Sequence, residues 1–279
     1  MSVTPTGIER RPGKKGNRMS TVGKALSLLD SLSQLNHEAG LTDIARLCDL
    51  DKATARRLLV ELEKHGFVEQ DPETRRYRIG SAPVRLARIR EARYPFLRVA
   101  IPFVRELAEK SEETVHLAEF SGSTLSTIHV EDSPRAHRVI VEIGTRLPFH
   151  ATASGLAYLA FSNKKYIESA LSQPLEAFTD HTVTDPAAVR KMIDETVARG
   201  FSISSQGLEV GVVSTGAPIL SPAGQPIGSI TIAAPLARAR AATLANFGAA
   251  VVDTAKRISE KYYGPERPSG TKTQTKRTG

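Results

Sequence analysis

Residues 41–80, LTDIARLCDLDKATARRLLVELEKHGFVEQDPETRRYRIG, leave the chain little freedom in how it can fold. Ile44, Ala45, Leu47 and Cys48 fall on one face of a short helix with Thr42 as its cap. Asp51 caps a second helix that buries Ala55, Leu58, Leu59 and Leu62, and Gly66 fits the left-handed position just past its end. The link between these helices, CDLD, is as short as a helix-turn-helix requires. FVEQDPETRRYRIG then reads as a strand, a turn over Asp71–Thr74 and a return strand. Upstream, STVGKALSLLDSLSQL spaces Val22, Ala25, Leu28, Leu29 and Leu32 as an amphipathic helix capped by Ser20 or Thr21. Three helices and a hairpin in this order make a winged helix-turn-helix.

Charge placement points the same way. Lys52, Ala53, Thr54, Arg56 and Arg57 open the third helix with short or basic side chains pointing away from its leucine face. A recognition helix reads base edges with such N-terminal residues, where Arg takes guanine O6 and N7 together. Arg75, Arg76 and Arg78 place charge on the wing, suited to phosphates or the minor groove, and Thr42 is placed with the DNA contacts. The blander reading is a protein-binding winged helix whose arginines pair with Glu61 and Glu63. Residues 21–80 carry nine cations against ten anions, so it is clustering rather than net charge that favours double-stranded DNA.

The formal charge of +8 over 279 residues lies mostly elsewhere: residues 1–20 supply +4 and residues 265–279 supply +3. Both tails lack a core pattern and read as disordered basic extensions, over 1–19 and 263–279. A single cysteine excludes a disulfide framework and suits a reducing cytoplasm, with Cys48 a small core residue. No apolar run nears the roughly 18 residues of a membrane helix, and the N-terminus has no signal-peptide core.

Residues 81–94 read as a linker helix broken at Pro95. Its stripe of Val84, Leu86, Ala87 and Ile89 suits a dimer contact better than a solvated spacer. From about residue 112 the pattern becomes mixed. TVHLAEF, TLSTIHV and RVIVEIG read as three strands, and GVVSTGAPIL and QPIGSITIAAP as a later pair. Helices fall at roughly 153–161, 163–172 and 186–199, with a long final helix over about 235–262. Two strand groups with helices between them predict an α+β sensor-like domain over 95–262, after the DNA-binding domain at 20–80.

LPFHATASGLAYLA, residues 147–160, runs a Thr- and Ser-bearing loop into an apolar helix. Such a helix start is an anion site, and Gly155 allows close backbone approach; the plain alternative is a Thr or Ser cap. Ser154 with His150 or His129 raises a hydrolase, but no G-x-S-x-G elbow surrounds any serine and no Asp is placed to orient either histidine. With no GxGxxG, P-loop or HExxH and no clustered His and Cys, neither an enzyme, a cofactor nor a metal is expected. A C-terminal domain that only oligomerises, without any ligand, is the other alternative.

STVGKALSLLDSL, the 41–80 stretch, VEIGTRLPFHATASGLAYLA and ARGFSISSQGLEVGVVSTGAPIL together resemble the IclR family of transcriptional regulators, over nearly all of 20–262. That resemblance implies a winged helix joined by the linker helix to a GAF-like α/β effector-binding domain. It also implies a homodimer or homotetramer on a palindromic operator, controlled by a small organic acid. Position by position it assigns the effector's carboxylate to backbone at Thr152, Ala153 and Ser154. The polar wall falls to Ser204, Ser214, Thr231 and Ala233, and the apolar wall to Val139, Leu147 and Val212. Ser204 stands where members often carry Asp, Gly207 where Glu is frequent, and Ser214 where Cys is common. Without a carboxylate at 204 the pocket repels an anion less, and a 2-oxo acid such as glyoxylate is expected first, ahead of aromatic and then sugar acids.

Overall fold

A computed structural model describes residues 19–35 and 37–264. The expected basic extensions therefore lie, but for a residue or two each, outside the described residues. The chain divides into two compact units, one ending at Ile89 and the other starting at Arg90.

In the first unit, α1 (Thr21–Ser33), α2 (Leu41–Leu47) and α3 (Lys52–Lys64) are followed by the hairpin β1 (Val68–Gln70) and β2 (Tyr77–Ile79). Ser20 caps α1 through Gly23 N–H (3.0 Å), and Asp51 caps α3 through Thr54 N–H (2.8 Å). Thr42 is not a cap: α2 starts one residue earlier, behind Gly40, with no side-chain cap at all. Leu28, Leu32, Ile44, Leu58, Leu59, Val68 and Tyr77 form the core. Val22 and Leu47, expected on buried faces, are exposed instead, and Cys48 is half-buried. Gly66 takes the expected left-handed conformation (φ 72°).

The chain passes into the second unit within α4 (Ala82–Arg93), on which Val84, Leu86 and Ile89 are about half exposed. The second unit is built from α5 (Phe96–Ser111), β3 (Thr114–Ser121), β4 (Thr124–Glu131), α6 (Ala153–Ala160), α7 (Lys164–Leu171), α8 (Pro186–Arg199), β5 (Ser202–Ser205), β6 (Val212–Leu220), β7 (Pro226–Pro235) and α9 (Ala241–Tyr263). Its sheet runs β4-β3-β7-β6-β5 with every neighbour antiparallel. On one face, Val115 and Leu117 of β3, Ala217 and Ile219 of β6, and Ile230 and Ile232 of β7 pack on Phe96 and Val104 of α5 and Val251 and Ile258 of α9. The other face receives α6, every residue of which is buried.

Two expectations fail here. RVIVEIG is not a strand: residues 138–144 form an irregular loop. Its alternation is real, with Val139 buried and Ile140 72% exposed, but the inner side faces a cavity rather than a sheet neighbour. The final helix starts at Ala241 rather than 235, because β7 runs on to Pro235 and a 3-10 turn, Leu236–Arg238, follows it.

Candidate functional site

Two surfaces carry chemistry, one in each unit. On α3, Lys52, Ala53, Arg56 and Arg57 are exposed and Thr54 half-buried. Among the described residues Arg56 and Arg57 have no ionic partner: Glu61 pairs with Lys64 (2.8 Å), and Glu63 accepts Gln70 N–H (3.2 Å). The arginine–glutamate pairs that would have neutralised this face are therefore not made. Thr42 is exposed on α2. The wing is less uniform than its sequence. Arg75, at φ 57° in the hairpin turn, is exposed and has no ionic partner among the described residues. Arg76 donates to Glu38 O (3.0 Å), and Arg78 is held by Glu38 (3.0 Å) and Glu69 (3.3 Å).

The second surface is a cavity of about 300 Å³ between the sheet, the start of α6 and the loop 139–147. Strand alternation builds its floor. His116 of β3, Thr231 and Ala233 of β7, Val212 and Ser214 of β6 and Ser204 of β5 all point to the face away from α5 and α9. Val139 and Leu147 come from the loop, and Thr152, Ala153 and Ser154 from the start of α6. The structure thus brings all ten expected residues to one cavity. Sequence reasoning missed His116, Ala151, Thr145 and Leu208 among others.

Several contacts fix the helix start. Thr152 Oγ1 accepts Gly155 N–H (2.9 Å) and donates to Pro148 O (2.9 Å), so Thr152 is indeed the α6 cap. A Cβ on Gly155 would overlap the Pro148 carbonyl, and one on Gly216 would lie 2.7 Å from Thr231 Oγ1, so both positions need glycine. Ser202 Oγ donates to Ala153 O (2.6 Å) and Ser204 Oγ to Ala151 O (2.8 Å). These bonds tie the entering backbone to the sheet. With Gly155 N–H taken by Thr152, the amides of Ala153 and Ser154 have no intrahelical carbonyl to bond, and both residues line the cavity at the positive end of the helix dipole.

Ser154 sits in the middle of a hydrogen-bonded row: His116 Nε2 lies 3.0 Å from its Oγ, and Thr231 Oγ1 2.7 Å on the other side. Neither histidine weighed as a hydrolase partner of Ser154 bonds to it. His150 Nε2 bonds Glu176 O (2.8 Å) and His129 Nε2 bonds Glu131 (3.0 Å). The Ser154–His116 pair is no catalytic dyad. Nδ1 of His116 has no partner to orient the ring, and burial pushes its pKa down to about 4, which makes a poor base near neutral pH. Among the described residues no Lys or Arg lines the cavity, and two carboxylates, Glu142 and Glu209, are exposed at its mouth. Among the described residues no group of three or more His, Cys, Asp or Glu is placed to hold a metal, and no helix is long and apolar enough to cross a membrane.

Residues 21–72 match the IclR helix-turn-helix domain, and residues 92–260 match the family described as bacterial transcriptional regulator IclR, C-terminal. The glycerol operon regulatory protein of Streptomyces coelicolor is 32% identical over 77% of this chain and 84% of its own. The transcriptional repressor IclR of Escherichia coli is 28% identical over 88% of this chain and 91% of its own. Among solved structures, an IclR transcriptional regulator from Silicibacter sp. TM1040 is 38% identical, covering 90% of this chain and 98% of that one with a TM-score of 0.79.

Proposed function

This chain belongs to the IclR family of DNA-binding transcriptional regulators, and from that premise we propose that a small organic acid, bound at the start of α6, controls its grip on DNA. The observation that carries the reading is the cavity. Unpaired amides of α6 and the hydroxyls of Ser154, Ser214 and Thr231 meet there, opposite Val139, Leu147 and Val212. A carboxylate suits the helix terminus, and an oxo group suits the hydroxyls on the sheet. A 2-oxo acid such as glyoxylate is therefore the first candidate. The apolar wall and the volume of about 300 Å³ also leave room for an aromatic acid.

In the DNA-bound form, residues 52–57 of α3 lie in the major groove with Lys52, Ala53, Thr54, Arg56 and Arg57 at the bases, and Thr42 contacts the same site. Arg75 and Arg76 meet backbone phosphates, joined by Arg78 once it is released from Glu38 and Glu69. The exposed apolar residues of α4 support pairing of two chains, hence a palindromic operator with half-sites a helical turn or a multiple apart. The acid shifts the population of DNA-competent arrangements by no more than its differential affinity for the two states.

Thermal unfolding with millimolar glyoxylate, pyruvate and benzoate tests the site. At about 100-fold over Kd a bound acid stabilises by about 2.7 kcal/mol, a rise of roughly 5 °C or more in Tm. Ser154→Tyr fills the cavity and abolishes the rise while operator binding survives. No response to any acid, or an equal response in the variant, rejects the site.

A further inference from the structure

His116 is the one lining group whose presence the hydroxyl pocket leaves unexplained. It is 5% exposed, its Nε2 touches Ser154, and its Nδ1 is buried without a partner. An anion in this cavity meets no cation among the described residues, since no Lys or Arg of these lines it. A buried charge without a counterion is strongly disfavoured. The charged groups nearby do not supply one. On β4, Val130 stands opposite His116, while Glu131 and His129 stand opposite Val115 and Leu117, whose side chains pack on the α5 and α9 face. Just before β3, Glu113 is bound by Arg238, and on β3 Glu119 is bound by Arg90. α6 and β7 present only the hydroxyls of Ser154 and Thr231 to the ring. On the loop, Arg138 faces Asp132 at 3.9 Å, and exposed Arg146 is not part of the wall. Glu142 and Glu209, at the mouth, carry the wrong sign.

We propose that His116 supplies the missing charge: the acid binds as its anion together with one proton, which His116 takes up from solvent at Nε2. In the empty cavity the ring is neutral and Nε2 accepts the Ser154 hydroxyl proton. When the anion enters, Nε2 gains a proton and donates to Ser154 Oγ. That turns the Ser154 O–H from the ring toward Thr231 Oγ1. The row of bonds reverses, and the Thr231 hydroxyl at its end donates to the ligand. Burial holds the empty ring well below its ordinary pKa, so it is uncharged until the anion arrives. His116 is thus a specificity residue: an acid gains a counterion on binding, whereas the neutral amide of the same acid gains none.

The inference rests on the proposed acid site, and calorimetry separates the two. Glyoxylate, pyruvate and benzoate are titrated into the full-length protein at pH 6.5 in MES and in imidazole, whose ionisation heats differ widely. The expected result is a net uptake approaching one proton for the acid that binds. Its affinity falls up to tenfold per pH unit between the pKa of the empty ring and that of the complex, and levels off above the latter. His116→Gln removes the uptake. If that variant does not fold, histidine 15N shifts of the wild-type protein read the imidazolium directly on adding the acid. Binding with equal heats in both buffers, or uptake that survives in His116→Gln, overturns the inference and leaves the acid site standing. Binding of none of the acids overturns both.

Discussion

Thr152, Ser154 and Gly155 occupy one turn and do three different things: cap, hydroxyl relay and close packing. Gly155→Ala would drive a Cβ into the Pro148 carbonyl, which is backbone and cannot swing aside. A loss of about 1–3 kcal/mol in denaturant unfolding is expected. His116 gives the residue scale its pH signature. Its pKa falls from 6.5 in the unfolded chain to about 4 in the folded protein. On acidification the unfolded state therefore takes the proton first. Its contribution is intact above about pH 6.5 and is lost as pH falls toward 4, by about 3 kcal/mol in all. His116→Gln should flatten unfolding free energy against pH over that window; an unchanged slope would contradict the buried neutral ring. The sequence made Thr152 and Ser154 legible because a cap and an anion site share one local pattern. His116 left no such mark: 38 residues separate it from Ser154, and only the β3–β7 register, which sets it opposite Thr231, brings the row together.

At the scale of elements, the winged helix was readable because caps, periodicity and turn chemistry agree within sixty residues. α3 begins where Asp51 caps it, and its leading basic residues, Lys52, Arg56 and Arg57, make no pair with Glu61 or Glu63. Arg56→Ala should weaken operator binding by about 1–3 kcal/mol and leave a random duplex nearly unaffected, if Arg56 reads a base. Arg75→Ala should instead weaken both alike and lower the salt dependence by about one phosphate contact. Binding titrations over a salt series distinguish the two. The loop 138–144 was misread because alternating burial is the mark of a strand only where a second strand takes up the backbone. Here Gly144 N–H reaches Thr127 O (2.8 Å) and Thr127 N–H reaches Thr145 O (3.0 Å), after which the chain arches over the cavity. β5 escaped notice for the opposite reason. SISS is polar because Ser202 and Ser204 bond the backbone leading into α6 instead of packing in a core.

At the scale of the molecule, each unit has its own core, so DNA reading and the proposed acid binding are separable. Removing residues 81–279 should leave a module that binds DNA weakly and ignores every acid, whereas a purely oligomerising second unit would cost avidity alone. In the whole chain the coupling is reciprocal: an acid that changes operator affinity by some factor has its own affinity changed by the same factor when operator is bound. Fluorescence anisotropy tests that claim most directly. Labelled DNA from upstream of the protein's own gene is titrated at fixed salt, against a random duplex, with and without glyoxylate, pyruvate and benzoate. The account predicts tight, sequence-preferring binding that one acid shifts by about 5- to 150-fold. Binding no tighter than to the random duplex, and indifferent to every acid, would contradict it.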